Sequence, residues 1–184
     1  AAAWDLCDMM LRSHVTDDEA ITAFNNLDGA LKDFPFYKAV AKRVAGIEAT
    51  LIGKTVENFA TNSTFTGDAF EFNSLKGKYV LIDFWGTWCG PCIAEMPKVK
   101  AYQEKYKDKL VVLGVNQGDT KEKAGDFITS NDYTWTHLMN GNGDDDFVLK
   151  FNVAGFPTKF IIDPEGKILH RFVGDSEESF AVLD

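Results

Sequence analysis

From residue 16 onward the apolar positions first follow a helical period. Thr16-Asp17-Asp18-Glu19 has the form of a capping box, in which Thr16 caps and Glu19, three residues on, reaches back. Ile21, Phe24 and Leu27 then follow at helical spacing. Pro35 suits the first turn of a second helix. Phe36, Val40, Val44, Ile47 and Leu51 recur at intervals of four, four, three and four, which sets all five on one apolar stripe, and Gly53 ends the run. Helices of this length bury little by themselves, so this arm must pack on something.

After Gly53 the pattern changes to strands. Residues 64–72 predict a β-hairpin turning at Gly67-Asp68. YVLIDFW, residues 79–85, is mostly apolar, as in a strand buried on both faces. A helix is predicted over 91–107, a second buried strand over 110–115, a helix over 121–130 and a further one over 144–150. Residues 159–162 and 167–173 predict a hairpin joined by Asp163-Pro164-Glu165-Gly166. Strand, helix, strand, helix and a closing hairpin imply a mixed α/β sheet with helices on both faces. The expected division is a helical arm over 1–52, the remnant or linker of a preceding domain, and an α/β domain over 53–184.

Composition narrows the functions. The net charge is −9 and the single lysine-rich stretch, KVKAYQEKYKDK, interleaves acids, so nucleic acid is not an expected partner. No window approaches the ~18 apolar residues that a membrane-spanning helix requires. The opening AAAWDLCDMMLRSH carries Asp5 and Asp8 within its apolar run and no basic flank, so it does not read as a signal peptide. Three cysteines cannot build a disulfide framework. Cys89 and Cys92 form one close pair, and the distant Cys7 reads as a buried helix thiol.

The pair lies in FWGTWCGPCIAEMP, where strand gives way to helix. A thiol at a helix N-terminus meets unsatisfied N–H groups and the positive end of the dipole, which favour its thiolate. Pro91 is tolerated in that first turn. Cys92, about one turn further in, is placed to resolve a mixed disulfide formed at Cys89. Three other readings are weaker. A zinc site needs four ligands, and His14, His137 and His170 are scattered with no second C-x-x-C. Two inert core thiols would gain nothing from a Gly-Pro spacer. A peroxidatic cysteine would carry an upstream Pro and Thr, where Ile82 and Gly86 stand.

LIDFWGTWCGPC resembles the active-site segment of the thioredoxin superfamily, and the surrounding chain is similar to its exported TlpA/ResA-like thiol-disulfide oxidoreductases. The likeness spans residues 53–174: IGKTVENFA resembles the opening strand of that branch, SLKGKYVLIDFWGTWCGPCIAEMPKV its centre, and VAGFPTKFIIDPEGKILHRFVG its closing segment. The helical arm resembles, more weakly, the segment before this domain in Bacteroidetes-type envelope proteins. A thioredoxin-like fold with an N-terminal β-hairpin addition follows from the resemblance.

The resemblance also implies roles. Pro157 matches the cis-proline opposite the active site, where flanking backbone is left free for an extended substrate. Asp83 matches the buried acid beneath the pair, able to take the proton Cys92 must lose. Glu95 matches an acid near the site and lies one turn from Cys92; a solvent-facing Glu is the competing reading. Trp88 is read as a flat docking surface, Phe156 as tuning partner choice, Trp85 as core, and Pro97 as a structural kink. His137 and His170 read as ordinary strand or edge residues. The lysine that accompanies the buried acid in cytosolic thioredoxins has no counterpart in LVVLGVN. The expected function is reduction of protein disulfides in the periplasm or cell envelope, without metal or organic cofactor, with electrons from a membrane donor protein. A disulfide oxidase or isomerase, or a redox-silent binding module, are the alternatives.

Overall fold

A computed structural model of the chain describes residues 16–27, 29–174 and 178–183. Cys7, His14 and the apolar opening segment lie outside the described residues. Helices α1 (Asp17–Asn25) and α2 (Pro35–Ala49) form the arm. The capping box is present: Thr16 Oγ1 accepts from the Glu19 N–H at 3.3 Å while the Glu19 carboxylate accepts from the Thr16 N–H at 2.8 Å. Of the apolar stripe, Val40, Val44 and Ile47 are buried with Ala20 of α1, and Phe36 and Leu51 pack at the rim.

The arm is seated on the rest of the chain. Asp17 pairs with Arg171 at 2.9 Å and accepts from the Asn152 side chain at 3.3 Å. Gly46 of α2 rides against a backbone turn, where a Cβ would stand 2.6 Å from the Leu149 carbonyl oxygen. Only glycine permits that approach.

The main sheet runs β5 (Thr136–Met139), β4 (Leu110–Asn116), β3 (Tyr79–Trp85), β6 (Thr158–Ile162), β7 (Ile168–Val173). β3, β4 and β5 are parallel; β6 and β7 are antiparallel to their neighbours. Successive side chains of the central β3 point to opposite faces. Val80, Ile82 and Phe84 enter one core with Phe59, Phe72 and Phe147, the last from α5 (Phe147–Lys150). Leu81 and Trp85 enter the other, under α3 (Gly90–Lys105), α4 (Lys121–Ser130) and α6 (Glu178–Ala181). This is a thioredoxin-like α/β fold.

Three local expectations shift. The β-hairpin addition is present, but its strands are β1 (Ala60–Thr61) and β2 (Phe70–Glu71), paired antiparallel. Residues 63–65 instead attach to the outer edge of β5: the Phe65 N–H donates to the His137 carbonyl at 2.8 Å and the Met139 N–H to that of Ser63 at 2.6 Å. The bare Gly125 of α4 leaves the slot that the Phe65 ring fills, which favours this pairing. Of the opening segment IGKTVENFA, only Ala60 belongs to a strand, β1, and Thr55 makes an isolated bridge to Lys167. The helix expected over 144–150 breaks into a 3₁₀ turn, Gly143–Asp145, and α5. Asp145 is drawn away to accept from the Thr61 and Ser63 hydroxyls, both at 2.6 Å, while Asp146 caps α5.

Candidate active site

β3 ends at Trp85, and four residues later α3 begins with Cys89 as its N-cap. The Cys92 N–H donates to Cys89 Sγ at 3.2 Å, so the nucleophile candidate sits on the orphan donors of the helix start. Cys89 and Cys92 are joined as a disulfide with Cα atoms 5.3 Å apart. Cys89 is 5% exposed and Cys92 2%, which keeps the expected order of access.

Asp83, two residues before Trp85, shares its face of β3 and so lies under α3. It is 2% exposed, and its cross-strand partner on β6 is Lys159, also 2% exposed. The Lys159 ammonium donates to Glu95 of α3 and stands 3.8 Å from Asp83 Oδ1. The first contact is a charge-assisted hydrogen bond; the second is too long for one and acts through charge alone. The Phe180 ring of α6 closes over the ammonium at 5.6 Å. Burial pushes the Asp83 carboxyl from 3.8 up to about 6, against the pull of Lys159 and helped by repulsion from Glu95. An acid that titrates near neutrality, one layer below a dithiol, can hold or release a proton there.

Two expectations are decided here. Glu95 faces inward, 8% exposed, and not solvent. The buried acid does have a lysine: it comes from β6, two residues after Pro157, and not from the strand LVVLGVN. Lys159 is not legible from the strand that follows β3 in sequence, because it pairs with Asp83 from β6 on the other side. The usable signal was a charged residue inside the apolar run TKFII, beside the strand that carries Asp83.

An exposed aromatic residue stands next to Cys89 in the chain. Trp88 is 54% exposed, and its ring meets that of Phe156 edge-on at 5.2 Å. The Phe156–Pro157 bond is cis, as the resemblance implied. Trp85 is fully buried, and Pro97 lies within α3. His137 is a core residue of β5, packed between Trp85 and Trp135; burial holds it down at about 3, so it is neutral at ordinary pH. His170 lies on β7, an edge strand of the sheet, stacked on Phe172.

A dithiol at a helix N-terminus over a buried acid is a recognisable arrangement, and the Redoxin family matches residues 51–184. The chain belongs to the Redoxin family. It is 34% identical over 141 residues to the thioredoxin-like protein YneN of Bacillus subtilis, covering 75% of this chain and 79% of that one. It is 33% identical over 147 residues to the thiol-disulfide oxidoreductase ResA of the same organism, covering 79% of each. Among solved structures, the thioredoxin domain of a thiol-disulfide oxidoreductase from Bacteroides vulgatus superposes with a TM-score of 0.62 at 25% identity, over 72% of this chain and 95% of that one. This Redoxin-family protein is a thiol-disulfide oxidoreductase, and it holds Cys89 and Cys92 as a disulfide at the start of α3.

Proposed function

We propose that this oxidoreductase works as a reductant of disulfides in other proteins. The observation that carries the reading is the Cys89–Cys92 pair at the start of α3 with the Asp83–Lys159–Glu95 cluster buried beneath it. The Cys89 thiolate attacks one sulfur of the partner's disulfide; a mixed disulfide forms and the partner's other sulfur leaves as thiolate. Cys92 gives its proton to the Asp83 carboxylate and attacks Cys89 Sγ. The Cys89–Cys92 bond forms and the second partner sulfur is released. Two electrons pass from the dithiol to the partner, and two protons follow.

The half-buried Phe156 and the exposed Trp88, in edge-on contact with each other, form an apolar docking surface for an extended segment of the partner, Trp88 next to Cys89 and Phe156 next to Pro157 in the chain. The reduced state is restored by another protein dithiol, for which a membrane electron donor is the fitting class. The resemblance to the exported TlpA/ResA-like branch supports a periplasmic or envelope location; among the described residues no helix is long and apolar enough to cross a membrane. We read residues 1–52 as a helical arm and 53–184 as the catalytic domain, in keeping with the separate small core of α1 and α2.

Insulin reduction by the protein, with dithiothreitol as electron source, tests this reading. Precipitation of the freed chains well above the dithiothreitol background is expected. A rate equal to that background would overturn it.

A further inference from the structure

Asp119, outside the dithiol and its buried charges, carries a second network at the site. Its side chain has no exposed surface, and four donors converge on it. The Thr87 N–H reaches it at 2.7 Å, the Thr87 hydroxyl at 2.5 Å, the Asn116 amide at 2.9 Å and the Lys123 ammonium at 2.8 Å. Burial alone would raise this carboxyl, but the hydrogen bonds from Lys123, Thr87 and Asn116 outweigh it and bring it to about 2. Asp119 is therefore an anion at any working pH.

Two of the four bonds go to Thr87, two residues before Cys89. The next residue, Trp88, is tied to the same loop: its indole N–H donates to the Gln117 carbonyl at 2.7 Å. Glycines make room for this. A Cβ on Gly86 would stand 2.8 Å from the Gln117 carbonyl oxygen and overlap the indole, and Gly118 has φ +82° with the indole nitrogen 3.2 Å from its Cβ position. Residues 86–88 and 116–119 are thus locked together at consecutive positions. A tryptophan more than half exposed and held by one hydrogen bond would otherwise be free to swing. Here it stands edge-on to Phe156, next to Cys89 in the chain.

We propose that Asp119 is a positioning residue for partner recognition: by clamping Thr87 it fixes Trp88 as a rigid wall against Phe156, selecting extended protein segments with an apolar side chain beside the disulfide. The clamp acts on affinity for a protein disulfide and not on the exchange chemistry. This inference rests on the reductase reading above.

The test compares Asp119→Ala and Thr87→Val with the natural protein on two probes, insulin and the small aromatic disulfide DTNB. For Asp119→Ala, KM for insulin is expected to rise about tenfold, the equivalent of one charge-assisted hydrogen bond, with kcat little changed. The loss with DTNB, which needs no extended groove, is expected to be several-fold smaller. Thr87→Val removes one of the four bonds and gives a milder change of the same kind; it carries the test if Asp119→Ala does not fold. Equal losses on both probes, carried by kcat, would place Asp119 in the thiol chemistry and overturn the inference. Unaltered kinetics in both variants would overturn it alone, whereas a natural protein inactive on insulin would overturn the reductase reading with it.

Discussion

Replacing Cys92 with serine will arrest the protein as a covalent adduct with its disulfide partner, and replacing Cys89 will abolish exchange. Cys89 is the N-cap of α3 and the more accessible sulfur, whereas Cys92 lies inside the first turn against the core. An incoming disulfide therefore meets Cys89 first. With Cys92→Ser the mixed disulfide forms at Cys89 but has no resolving thiol, so it accumulates. With Cys89→Ser the rate should fall by roughly three orders of magnitude or more, as for removal of a covalent nucleophile. Mass spectrometry under non-reducing conditions should show a partner-sized increment on Cys92→Ser alone, released by dithiothreitol. An adduct on Cys89→Ser instead would reverse the two roles.

The second large effect lies in the buried charges. Lys159→Met, similar in volume, removes the ammonium that donates to Glu95 and stands 3.8 Å from Asp83, and leaves both carboxylates without it. Breaking a buried pair from one side costs about 3–5 kcal/mol. The sign with pH follows from linkage. Burial already raises the folded pKa of Asp83 and Lys159 pulls against it, so without the cation it is raised further; stability is intact at low pH and is lost as pH rises through the folded value. The variant should be far less stable than the natural protein at pH 7.5 and approach it near pH 4. Asp83→Asn acts oppositely. Asp83 is already raised from 3.8 to about 6, so its ionisation weakens the fold above that pH. Removing the charge should add about 2–3 kcal/mol at pH 7.5, at roughly 1.4 kcal/mol per pH unit, and nothing near pH 3. Urea unfolding at the two pH values checks both variants. A Lys159→Met loss that is the same at pH 7.5 and pH 4 would mean a packing defect and not unpaired charge.

The sequence made the dithiol legible because its chemistry is local: two thiols, a Gly-Pro spacer and a strand-to-helix junction all fall within a few residues. Asp83 was legible for the same reason, as an acid inside an apolar strand. What escaped depends on pairing across the sheet. Lys159 lies 76 residues on from Asp83 in sequence yet directly opposite it in register, and β-register cannot be read from periodicity alone. From the sequence Glu95 could face either way on α3, because the lysine that turns it inward stands on β6. The hairpin was misplaced by a similar competition, since the free edge of β5 and the slot at Gly125 draw residues 63–65 away from local pairing. The Asp119 clamp joins two loops 32 residues apart, and neither loop announces the other.

The reduction potential of Cys89–Cys92 tests the central claim most directly. It is measured by thiol trapping after equilibration in graded dithiothreitol or glutathione buffers, with Cys7→Ser to leave a single couple. A reductant of protein disulfides should equilibrate at about −250 mV or lower. A value between about −120 and −180 mV would contradict the account and make the protein an oxidase or isomerase.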